Sequence, residues 1–115
     1  MANNEAAQMG FTVEYHIEAR NLGEVVENNL KAEAEERLRK LMKGHSDITG
    51  AAVALTEPAE RTTSFLYRAR VVVYARPEQI AAVSEEETPQ AALKGALTAV
   101  ERQVREKRDR LRETL

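Results

Sequence analysis

Ten residues near the middle of the chain, "YRARVVVYAR" (67–76), constrain the fold more than any other stretch. In an extended strand side chains alternate between two faces. Tyr67, Ala69, Val71, Val73 and Ala75 then share one face, and Arg68, Arg70, Val72, Tyr74 and Arg76 share the other. The first face carries no charge and has to be covered. The second belongs to water or to a partner. A sheet with one covered side is therefore the frame into which the remaining segments must fit.

Those segments supply the sheet and its cover. "FTVEYHIEAR" (11–20) also alternates, with Phe11, Val13, Tyr15, Ile17 and Ala19 on one side, and "NLG" follows as a turn. Over residues 24–43 the period changes. Val26, Leu30, Ala34, Leu38 and Leu41 recur every three or four positions, the pattern of an amphipathic helix. Its entry lacks a clean Ser or Thr cap, although Asn28 or Asn29 could serve if the start is later, and Gly44 is its expected stop. Ala51, Val53 and Leu55 mark a second strand over about 49–57, and "EPAER" connects it to a third strand running from about 63 to 76, which Pro77 ends. "IAAVSEE" (80–86) forms a short fourth strand. Thr88 caps the last helix, Pro89 occupies its first position, and the acidic run before them suits the positive helix end. Its apolar stripe is Leu93, Leu97, Val100, Val104 and Leu111.

The order is thus β-α-β-β-β-α. Both helices must bury their stripes, and one sheet face is available. The spacing predicts an α+β fold in which two helices pack on one face of a four-stranded, mostly antiparallel sheet. A chain of 115 residues is one domain of this kind. We expect it to span 11–115, behind a flexible polar segment at 1–10.

Chemistry-bearing residues are sparse. The absence of cysteine excludes disulfides and thiolate metal sites and agrees with a reducing, cytoplasmic setting. No apolar run is long enough to span a membrane, and "MANNEAAQMG" lacks the basic and apolar regions of a signal peptide. His16 lies on the strand face opposite Ile17, and His45 follows Gly44 in a turn. Neither has a ligand partner at metal spacing, and both read as solvated surface histidines. No glycine-rich phosphate loop or nucleophile elbow occurs. The sequence therefore predicts no catalytic residue, metal, cofactor or small-molecule substrate.

The basic residues are better organised. The net charge is −2, yet residues 91–115 hold seven Lys and Arg against four acids. At about 100° per residue, Lys94, Arg105, Arg108 and Arg112 fall on one flank of the last helix's stripe, and Arg102 on the outer face. On the first helix Arg37 and Lys40 share a flank, and Lys43 reaches outward near the end. Helices packed side by side could merge these sets into one basic surface, provided the right flanks meet. The plainer alternative is a solvated face laced by the i,i+4 pairs Glu101–Arg105 and Glu106–Arg110. The last helix also runs about two turns past Val104 with only Leu111 to bury, which favours a surface with a use.

The sequence resembles the short ribosome hibernation promoting factors, a family that includes ribosome-associated inhibitor and sigma-factor modulation proteins. The resemblance covers about residues 12–112. It is carried by "IEARN" (17–21), "EERLRKLMK" (35–43), "SDI" followed by "AAVALTE", "RARVVVYARP" (68–77) and above all "AALKGALTAVERQVREKRDRL" (91–111). It implies a fold like a double-stranded RNA-binding domain. It also implies a stress-response factor that binds the small ribosomal subunit and its rRNA near the decoding region. There it blocks mRNA and tRNA and so inhibits translation. The family's basic positions fall on Arg37, Lys40 and Lys43 in the first helix, and on Arg102, Arg108 and Arg110 in the second, with Arg105 beside them. Their implied role is to pair with rRNA phosphates, for which arginine's fork is suited. "TPQ" stands in place of the family's usual start to the last helix, and Glu106 where a lysine is common. The second domain with which long members join two ribosomes is not expected here. Two other functions stay open: a general binder of structured RNA, and a protein-interaction module using the sheet face that bears Val72 and Tyr74.

Overall fold

The computed structural model describes residues 12–19, 22–45, 47–58, 66–76 and 78–113, with side chains through Arg110. Six elements follow in the expected order: β1 (Thr12–Glu18), α1 (Glu24–Lys43), β2 (Ile48–Thr56), β3 (Tyr67–Ala75), β4 (Ile80–Glu86) and α2 (Pro89–Glu113). The strands lie in the sheet in chain order. β1 runs parallel to β2, and the β2–β3 and β3–β4 pairs are antiparallel. A parallel pair needs a long return path, and α1 provides it. The rest is a meander. The fold is α+β with a mixed sheet and both helices on one side.

The core is the covered sheet face and the two helix stripes. Leu55, Val71, Val73, Leu93, Leu97 and Val100 are its largest fully buried side chains. α2 lies over β3 and β4, α1 lies over β1 and β2, and the helices touch each other. The cover is thinner at β1. Val13, Tyr15 and Ile17 are only half-buried against the core, and α1 buries only Leu30, Ala34 and Leu38. Gly95 marks a close approach of α2 to the sheet. A Cβ there would run into Ser84 of β4.

Several local expectations are corrected. α1 is capped by Gly23, at φ 79°, with no side-chain cap bond. A backbone in that region favours glycine, so Asn28 and Asn29 sit inside the helix and cap nothing. Gly44 does end α1, but at φ −91°, with its N–H donating to the Leu41 carbonyl and not in a left-handed turn. β3 starts at Tyr67, with Leu66 outside the strand and exposed. The Thr88 cap is present: Ala91 N–H donates to Thr88 Oγ1 at 3.1 Å. The proposed N-terminal segment 1–10, Phe11, Arg20, Asn21, Ser46, most of the β2–β3 connection, Pro77 and the side chains of Leu111 and Arg112 lie outside the described residues.

Candidate nucleic-acid interface

The C-terminal half of α2 runs beside the end of α1, and this places the candidate residues. Arg37, Lys40, Leu41, Gly44 and His45 from the α1 side face Glu101 and Arg105 of α2 across an open cleft. Arg108 reaches over the same end of α1, donating from Nη1 to the Gly44 carbonyl at 3.3 Å. The flanks that the sequence left unmatched therefore do meet. Lys43 is exposed in the last turn of α1.

The other two candidates point elsewhere. Arg102 is exposed, with Nε 3.9 Å from Glu106 Oε1 on the next turn. Arg110 lies on the opposite flank of α2, beside Glu78 and Gln79. Four of the seven candidates thus border one cleft or its end, Lys43 stands close in sequence, and two are displaced around the helix. A helical wheel already sets Arg110 well over a quarter turn from both Arg105 and Arg108, while Arg102 lies about 60° beyond Arg105, on the outer face.

Arg37 has a second role. Its Nε and Nη2 donate to the two Glu101 carboxylate oxygens at 3.1 and 2.5 Å, and Nη2 also donates to Thr98 Oγ1 at 3.1 Å. Both partners are about three-quarters buried. A bidentate fork of this kind is among the stronger polar contacts. The Glu101 bond holds the Arg37 guanidinium even more firmly protonated than usual. Glu101 therefore ties α2 to α1 and does not pair along its own helix with Arg105. Likewise Glu106 turns to Arg102 and not to Arg110. The surface lattice of Glu101–Arg105 and Glu106–Arg110 pairs is not the one formed. Lys40 and Arg105 make no ion pair or hydrogen bond among the described residues, so their charges face the cleft uncompensated by direct contact.

Two residues matter here beyond the basic set that the sequence predicts. Lys107 Nζ donates to the Arg76 carbonyl at 2.9 Å and lies 3.6 Å from Asp47 Oδ2. It pins the overhanging part of α2 to the end of β3 and to the loop before β2. Its wheel position, close to that of Val100 and Val104, was the available signal. His45 is half-buried and not solvated. Its Nδ1 lies 2.9 Å from the Leu41 carbonyl, because the turn after Gly44 folds the ring back over the helix end. Among the described residues no group of three or more His, Cys, Asp or Glu could hold a metal ion. No described helix is long and apolar enough to cross a membrane.

Comparison with known proteins gives a family and a fold. Residues 15–112 match the family described as sigma 54 modulation protein / S30EA ribosomal protein. No curated protein matches the chain. Among solved structures, a ribosomal subunit interface protein from Coxiella burnetii superposes with a TM-score of 0.65 at 10% identity, over 85% of this chain and 98% of that one. The N-terminal domain of protein Y from Thermus thermophilus superposes with a TM-score of 0.60 at 18% identity, over 81% of this chain and 94% of that one. At such identities the likeness is one of fold.

Proposed function

The chain belongs to the sigma 54 modulation protein / S30EA ribosomal protein family, and we propose that it is a ribosome-associated hibernation factor. It binds the small subunit near the decoding region, occupies the path of mRNA and of the tRNA anticodon arms, and keeps idle ribosomes from translating. The mechanism is occlusion plus phosphate contact, with no bond made or broken.

The observation that carries this function is the cleft at the α1 end. Cations from two helices converge there, and the one carboxylate among the described lining residues, Glu101, is already occupied by Arg37. Lys40, Arg105 and Arg108 form the centre of the phosphate surface, with Arg37 and Lys43 beside it. Arg102 and Arg110 add to it where RNA wraps further around α2. The names of the two structural neighbours, an interface protein of ribosomal subunits and a protein Y domain, support the same assignment.

Co-sedimentation with ribosomes and separated subunits over a salt series tests it. Pelleting with the small subunit, lost as salt rises and abolished by Arg105→Glu with Arg108→Glu, is the expected result. Failure to pellet at low salt would refute it. A cleft that reads phosphate does not by itself demand a ribosome, so a general structured-RNA binder is the rival. Equal affinity for an arbitrary RNA duplex and for ribosomes would favour that rival.

A further inference from the structure

A second cleft adjoins the first, and Gly44 and His45 form the wall between them. Its lining differs in kind. Ile48, Ala75, Ile80 and Val104 supply aliphatic surface, while Arg76, Lys107 and Arg108 stand around it with one carboxylate, Asp47. Three of the four apolar residues are at most 9% exposed, so the floor belongs to the core itself. The volume is about 320 Å³, near the lower end of the roughly 300–1,000 Å³ of small-ligand sites.

A duplex backbone is polar throughout and has no use for an aliphatic floor. A nucleotide splayed out of its helix matches both surfaces, with an apolar ring to bury and a phosphate to neutralise. We propose that this cleft takes a single unpaired nucleotide, with its base against Ile48, Ala75, Ile80 and Val104 and its phosphate on Arg76 and Arg108. The proposal rests on the RNA-binding function above and adds a base-accepting site to a phosphate-reading surface.

The polar groups fit that occupant. Lys107 is engaged by the Arg76 carbonyl and by Asp47, so it forms wall more than donor. Arg108 uses Nη1 on the Gly44 carbonyl and keeps the rest of its fork. The bond from His45 Nδ1 to the Leu41 carbonyl requires the proton on Nδ1. That leaves Nε2 as a buried acceptor without a partner among the described residues. A base N–H or a ribose hydroxyl would satisfy it, and Asp47 offers a further acceptor for an exocyclic amine. The cleft is too small for a base pair. It therefore selects unpaired nucleotides, the usual targets of specific RNA recognition.

The test uses the full chain with two RNAs of equal length, a continuous duplex and a hairpin bearing an unpaired 2-aminopurine in its loop. AMP is the third ligand. The hairpin should bind about tenfold more tightly than the duplex, and its 2-aminopurine should brighten as it leaves the stack. Ala75→Leu fills the cleft. It should remove the hairpin preference and leave duplex binding unchanged. If that variant does not fold, Arg76→Gln, at an exposed strand end, takes its place and should also lose the preference. Amide shifts with AMP confined to residues 44–48, 75–76 and 104–108 support the site with free nucleotides as one source. Hairpin preference without AMP shifts supports it with RNA as the only source. Equal affinity for the two RNAs, an unchanged 2-aminopurine signal, or a folded variant that keeps the preference would overturn it. Ribosome co-sedimentation of the same preparation separates this failure from failure of the ribosome assignment.

Discussion

A cation's partner decides what the cation can do, and Arg37 is the case in point. Its fork is held by Glu101, and both groups are mostly buried between the helices. Glu101→Ala leaves that guanidinium partly buried without its carboxylate, with only Thr98 Oγ1 still accepting from it, which should destabilise the protein by about 1–3 kcal/mol. Urea melts of wild type, both single variants and the double variant measure the coupling. A coupling indistinguishable from zero would make the pair a surface ornament. Tyr15 obeys the same logic with a proton in place of a cation. Its hydroxyl donates to Glu35 Oε1 at 2.7 Å. Burial first, then the Glu35 bond and charge, hold the phenol above its ordinary range. A group whose pKa is raised by folding contributes stability that is complete below its unfolded value, about 10 for tyrosine, and is lost as pH rises beyond it. Wild type should therefore lose stability between about pH 9 and 11 by more than Tyr15→Phe does. Parallel losses in the two proteins would exclude Tyr15 as the cause.

At the scale of elements, α2 does most of the covering and is the place to perturb packing. Helix propensity alone says that Gly95→Ala should stabilise α2 by about 1 kcal/mol. The structure reverses the sign. The new Cβ would lie 3.0 Å from Ser84 Cβ and closer still to its hydroxyl. Such overpacking costs about 1–3 kcal/mol. Gly95→Ala should therefore melt earlier than wild type, and adding Ser84→Gly should recover the loss. A single variant that melts later than wild type would show that β4 yields freely at this point. The element order and both helix stripes were legible because hydrophobic period is a local property of sequence. Leu30, Ala34 and Leu38, and Leu93, Leu97, Val100 and Val104, are all buried as their spacing predicts. The ends were less legible. A search for Ser, Thr or Asn caps finds Thr88 but passes over Gly23, whose contribution is a backbone angle and not a side chain. Gly44 misleads the other way, because the residue type associated with a left-handed stop here adopts an ordinary right-handed angle.

For the molecule as a whole, the composition of the candidate surface was legible and its geometry only half so. A helical wheel places Arg105 and Arg108 on one flank and Arg37 and Lys40 on another. Which flanks meet depends on how α1 and α2 sit across the sheet, a matter of tertiary packing. The ion-pair pattern depends on the same packing: Glu101 has a neighbour four residues along its helix and a better one across the interhelical gap. This matters for binding. Each phosphate neutralised by a cation releases counterions, so the logarithm of affinity falls with the logarithm of salt by about 0.7–0.9 per contact. Among the described residues Lys40 and Arg105 face the cleft without direct partners, whereas Arg37 must exchange a carboxylate for a phosphate, a swap with little net counterion release. Lys40→Gln and Arg105→Gln should each flatten the salt dependence of ribosome association by about one contact's worth. Arg37→Gln should flatten it far less, and Arg110→Gln, which meets RNA only where it wraps further around α2, by less than either cleft residue does. Binding isotherms at four or five salt concentrations give the slopes. Equal flattening by all four variants would mean that RNA encircles α2 and that the interhelical cleft is not the centre of contact. Flattening by the cleft residues alone would locate the RNA path between the two helices, where the short acidic reach of Glu101 holds Arg37 out of competition until a phosphate arrives.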